Sequence, residues 1–163
     1  MPRHAFYSFH YQPDSWRASQ VRNLGVVDGN KPAHDNDWET VKRGGDAAIE
    51  KWIRDQMKGR SCTVVLVGSQ TAKRKWIDFE ITESWKAGMG VAAIHIHGLK
   101  DSSGQTSAKG HNPFDHFTLG QKRLSDIVKC YDPPGNQSTD VYAWISQYLS
   151  AIVEEAVTIR KAN

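Results

Sequence analysis

Trp76 and Glu80 stand four residues apart, a spacing that puts an indole and a carboxylate on one stripe of a helix. That pair suits a reaction that builds positive charge on a sugar. The carboxylate can accept hydrogen bonds from ribose hydroxyls and stabilise an oxocarbenium-like transition state. NAD carries such a sugar, and its nicotinamide, already positively charged, leaves without help from a general acid. Taken alone, the same spacing also fits a packed Trp beside a solvated Glu.

Other residues of reactive type form weaker patterns. His95 and His97 project to one face of a strand, and with His111, Asp115 and His116 they could be gathered round a metal. Their spacing matches no zinc motif, so strand-end and loop histidines without metal are the expectation, and a metal-dependent hydrolase ranks last among the functions considered. Cys62 and Cys130 are the two cysteines, each in or beside an apolar run, and read as reduced, buried structural thiols. Lysine and arginine number 21 against 18 acids, for a formal charge of +3. The densest basic group, Lys73-Arg74-Lys75, is a solvated helix face or an anion-attracting rim. No basic block marks a nucleic-acid or membrane surface, and no signal pattern or membrane-length apolar stretch is visible, so a cytoplasmic protein is expected.

These residues need a scaffold, and 163 residues suffice for one domain spanning 1–163. Ala5 to Phe9 reads as a strand, and Asp14 as the cap of a helix running to Asn23. Val26-Val27 reads as a second strand, followed from Asp28 to Gly45 by a long polar loop containing Trp38. Ile49, Trp52, Ile53 and Met57 recur at helical spacing up to Gly59. Cys62 to Val67 is a β-branched run suited to a strand covered on both faces. A helix over Thr71 to Lys86 follows, then a strand over Val91 to Ile96, a loop over Gly98 to Leu119 and a strand over Asp126 to Tyr131. A last helix from Thr139-Asp140 places Val141, Trp144, Ile145, Tyr148, Leu149, Ile152 and Ala156 inward.

Strands alternating with helices predict an α/β, flavodoxin-like fold: a parallel five-stranded sheet, order 2-1-3-4-5, with helices on both faces. In that order a crevice opens beyond the carboxyl ends of the first and third strands. Phe9 to Asp14 and Gly68 to Thr71 would flank it, and the helix carrying Trp76 and Glu80 starts there.

Ser8-Phe9-His10-Tyr11 with Asp14, then Arg17, Val21-Arg22-Asn23, Val65-Leu66-Val67-Gly68-Ser69, Trp76-x-x-x-Glu80 and Asn112-Pro113-Phe114 together resemble the TIR-like family that includes the ThsB protein of bacterial Thoeris antiphage defence. The resemblance covers roughly the first 120 residues. The sequence departs from the animal TIR pattern at His10 and between Asp28 and Gly44. The resemblance implies the TIR form of the flavodoxin-like fold. It also implies NAD glycohydrolase or cyclase activity yielding a cyclic ADP-ribose-type signal for a partner effector, with Glu80 at the family's catalytic position.

In that setting Phe9, Tyr11, Arg17 and Arg22 either line the pocket or are strand-end aromatics and helix-surface cations. Arg17 or Arg22 could grip a pyrophosphate with a fork of donors. Ser69 either caps the following helix or touches substrate, Trp38 either covers a ring or anchors its loop, and Trp76 shapes the nicotinamide pocket. NAD is then the substrate and no cofactor is called for. Glu80 is expected to be a surface carboxylate, ionised at neutral pH. Self-association through TIR surfaces is expected to raise turnover, and a non-enzymatic interaction module is the main alternative.

Overall fold

The computed structural model describes residues 3–25, 27–29 and 43–163. Five strands lie side by side: β1 (His4–Ser8), β2 (Asp28–Gly29), β3 (Cys62–Val67), β4 (Gly90–His95) and, after a small hairpin of β5 (Thr118–Leu119) and β6 (Lys122–Arg123), β7 (Cys130–Tyr131). Their order is β2-β1-β3-β4-β7, and every pairing is parallel. The α/β architecture read from the alternation of strand and helix patterns is therefore present.

All six residues of β3 and all six of β4 are buried, as expected of strands covered on both faces. Pleating divides them. Val64 and Leu66 join Ala5 and Tyr7 in a cluster under α1 (Tyr11–Arg22) and α4 (Ser138–Lys161). Val65 and Val67 join Ile77 and Ile81 of α3 (Lys75–Lys86) on the other face. Phe6, one residue out of phase with Ala5 and Tyr7, packs with Ile49, Ile53 and Met57 of α2 (Gly45–Met57) on that second face. Helices thus cover both sides of the sheet. The contact of α4 with the sheet is close at Gly90, where a β-carbon would lie 2.6 Å from the Ala156 backbone.

Several boundaries differ from the sequence expectation, each for a local reason. α1 begins at Tyr11 rather than after an Asp14 cap: the Asp14 amide already donates to the His10 carbonyl at 3.1 Å. α3 begins at Lys75 rather than Thr71, because the Thr71 hydroxyl accepts from the Gly68 amide at 2.8 Å and Lys73 takes a left-handed φ of 68°, which no helix continues through. β7 starts at Cys130, since Leu124–Asp126 form a 3-10 turn. The β5–β6 hairpin lies at the end of a stretch expected to be loop. Tyr148 is 41% exposed, not inward on α4. Val26, Trp38 and most of the expected Asp28 to Gly45 loop lie outside the described residues. Among the described residues, no helix is long and apolar enough to cross a membrane.

Candidate functional site

β1 and β3 are neighbours, with Ser8 opposite Val65, so the turns leaving them meet at one end of the sheet. Parallel pairing leaves that end open to ligand. The period of two along β1 sends Phe6 and Ser8 to the face covered by α2 and α3, and Ser8 meets Glu80 there.

Glu80 is half-buried as a residue, yet its Oε2 is sealed from solvent and has no hydrogen-bond partner; the Ser8 Oγ is in the same condition. Burial pushes the Glu80 carboxyl up to about 8, against a smaller opposing pull from the Ser8 hydroxyl. Burial thus favours the neutral acid in the resting group. The carboxyl expected at the surface is instead turned toward the end of β1, with Oε2 away from water.

The remaining expected site residues are divided. Trp76 stands edge-on to Phe79 at 5.6 Å, with the Lys75 ammonium 4.9 Å from its ring centre, and packs partly against the Phe6–Ile53 cluster. Phe9 stacks on Tyr11 at 6.2 Å, but packs with the cluster on the α1–α4 face. The two aromatics expected to shape one nicotinamide pocket thus flank the end of β1 from opposite faces. Ser69 sits half-buried in the turn after β3, and it does not cap α3, whose N-cap residue is Arg74.

Arg17 is not a free phosphate donor. Only 3% of it is exposed. Its Nε donates to the Leu99 carbonyl at 2.8 Å, Nη1 to the Asp14 Oδ1 at 2.9 Å and to the Pro13 carbonyl at 3.1 Å, and Nη2 to the Gln105 carbonyl at 2.8 Å. These bonds fasten the loop after β4 to the head of α1. Asp14, 1% exposed, is raised by burial and drawn back by Arg17. Its carboxylate lies so near Gly68 that a β-carbon there would sit 2.0 Å from Oδ2, while a β-carbon on Gly110 would sit 2.1 Å from the Gly68 carbonyl oxygen. The loop after β4 therefore lies over the β3 turn, nested on two glycines. Arg22 is the last residue of α1, about 16 Å along the axis from Tyr11, and its stem passes beside Gly29. It does not reach the crevice.

Three residues near the site were not singled out from the sequence as site residues. Ser8 is one, and the strand period that puts it on Glu80's face was the available signal. His10 and Arg74 are the others. The His10 Nδ1 is buried without a partner, and burial, then the Arg74 charge, hold its ring below the usual imidazole range.

The histidines considered for a metal are dispersed. His95 and His97 meet edge to face at 5.6 Å and, with Asp132 and Pro133, line a cavity of about 270 Å³. Burial lowers His95 to about 4, and its Nε2 lies 3.5 Å from the Cys130 Sγ. His116 instead bonds Asp78 at 2.9 Å, and His111 and Asp115 are exposed. Among the described residues, no three His, Cys, Asp or Glu come together as metal ligands.

Residues 6–101 match the family model of the TIR-like domain of Thoeris protein ThsB, a span that includes Ser8, Asp14, Arg17, Trp76 and Glu80. A Bacillus cereus (strain MSX-D12) protein, named as a proposed cyclic ADP-D-ribose synthase, ThsB1, is 38% identical over 131 residues, covering 77% of this chain and 67% of that protein.

Proposed function

Since this chain belongs to the TIR-like family of the Thoeris protein ThsB, we propose that it cleaves NAD and makes a cyclic ADP-ribose-type signal in antiphage defence. The observation that carries the reading is the Glu80 carboxyl, whose Oε2 is sealed from solvent without a geometric hydrogen-bond partner beside the end of β1, on a helix within the family match. The bond that breaks joins the nicotinamide nitrogen to the ribose anomeric carbon. Nicotinamide departs with the bonding electrons as a neutral ring, leaving the ribosyl oxocarbenium, which the Glu80 anion stabilises. Water then captures the cation to give ADP-ribose, or an atom of the same nucleotide captures it to give a cyclic product. The naming of the relative favours the second outcome.

A resting acid titrating near 8 fits this chemistry. A positively charged ring brought close to a carboxyl favours its ionised form, so substrate arrival itself charges Glu80 and the proton passes to water. NAD is the substrate, with no further cofactor. We place the enzyme in the cytoplasm, self-associating through its TIR surfaces, with a partner effector reached through the product.

The test is mass spectrometry of the products after incubation with NAD. Nicotinamide together with ADP-ribose or a cyclic isomer is expected. Intact NAD at every protein concentration, alongside binding of a protein partner, would replace the enzyme with an interaction module.

A further inference from the structure

Ser8 is a costly residue where it stands. It is 1% exposed, and its hydroxyl has no hydrogen-bond partner. A buried polar group left unpaired is an exception in folded proteins, and alanine at the end of a strand would avoid its cost. The group beside it, Glu80 Oε2, is likewise buried and unpaired. The Ser8 hydroxyl already pulls against the burial of the Glu80 carboxyl, so it stands within reach of the group it would serve once that group is charged.

We propose that Ser8 is a positioning residue for the reaction: when substrate ionises Glu80, the Ser8 hydroxyl donates to the carboxylate, steadying the anion and its direction at the end of β1. The inference rests on the reading of Glu80 as the group that meets the ribosyl cation. Strand β1 suits the task, because its backbone is held by β2 and β3 on its two sides and leaves the hydroxyl only its own rotation. Among the described residues no charged side chain duplicates the role. On the surrounding elements Lys75 is engaged with Asp46, Arg54 with Glu83 and His116 with Asp78, and neither these nor His10 and Arg74 contribute to the titration of Glu80.

The experiment compares wild type with Ser8→Ala across pH. In kcat/KM for NAD the variant is expected to lose about tenfold near pH 7, the scale of a hydrogen bond to a charged group. The loss should shrink as pH rises and hydroxide ionises Glu80 without help, so the midpoint of the profile moves to higher pH. A loss that is equal at every pH, or no loss, overturns the proposal, because a merely structural hydroxyl would behave in one of those ways. A second measurement does not need turnover. Glu80, raised in the folded state, lends stability below about 4.5 that is lost as pH climbs through about 8. In Ser8→Ala, referenced to Glu80→Gln, that decline should extend to higher pH; a decline unchanged from wild type overturns the coupling. Should wild type leave NAD intact, the enzymatic reading falls, and the stability titration still decides whether Ser8 steadies the anion.

Discussion

The end of β1 has buried polar groups on both faces of the sheet, and they are treated in opposite ways. On the α1 side Asp14 and Arg17 form an ion pair at 2.9 Å, and Arg17 spends its other donors on three carbonyls. On the α3 side Ser8 and Glu80 sit together with polar atoms unmatched. Burial is common to both, and so is the desolvation that raises each carboxyl. The difference lies in completion. A buried charge closed by its neighbours serves architecture, because breaking it strands a partner. A buried acid left open is costly to the fold, and such groups gather where a ligand completes them.

The largest effect is expected where the closed network is cut. Arg17→Met leaves Asp14 and three carbonyls without their donor and should lower unfolding free energy by about 3–5 kcal/mol in urea titration. A stable Arg17→Met with a raised KM for NAD would break the comparison, returning Arg17 to the phosphate role first considered for it. Glu80→Gln probes the open side. Turnover should fall by about 100-fold, roughly 3 kcal/mol of transition-state stabilisation.

The same substitution should stabilise the fold at alkaline pH. The folded carboxyl is raised to about 8 from an ordinary 4.5, so wild-type stability falls as pH rises through that window and the neutral amide escapes the fall. Equal Tm for the two proteins at pH 5 and at pH 8.5 would mean that Glu80 is solvated. Gly68→Ala drives a methyl to 2.0 Å from the Asp14 carboxylate and should cost about 1–3 kcal/mol by denaturation. Smallest of all, Glu83→Gln gives up an ion pair with Arg54 whose partners are 20% and 52% exposed. It should change stability by less than about 1 kcal/mol and leave NAD turnover at the parent rate.

How much of this was legible depended on distance along the chain. The Cys62 to Val67 run and the Ile49, Ile53, Met57 spacing identified β3 and α2, because those patterns are local. Glu80 was identified from its spacing to Trp76 and from resemblance. Its protonation was not, since that depends on the burial of its carboxyl in the folded chain, and the one side chain that opposes it, Ser8, stands 72 positions earlier. Arg17 read as a pocket cation or a helix-surface one, and not as a buried fastening, because its carbonyl partners at Leu99 and Gln105 lie 82 and 88 residues away. The late start of α3 rested on one left-handed residue, Lys73, which its residue type does not announce. The strand expected over Asp126 to Tyr131 is present only as the two residues of β7, too short for a periodicity to fix where it starts.

The strap that Arg17 holds also sets a timetable for the chain as it is made. The guanidinium and the Asp14 carboxylate appear early, but the Gln105 carbonyl that takes the last of those four bonds follows 88 residues later. At about 5–20 residues per second of synthesis, that is roughly 4 to 18 seconds during which α1 exists without its fastening and the charges beneath it remain in water. Helix α1 is therefore among the last of these elements to be finished, and its burial awaits the loop that follows β4.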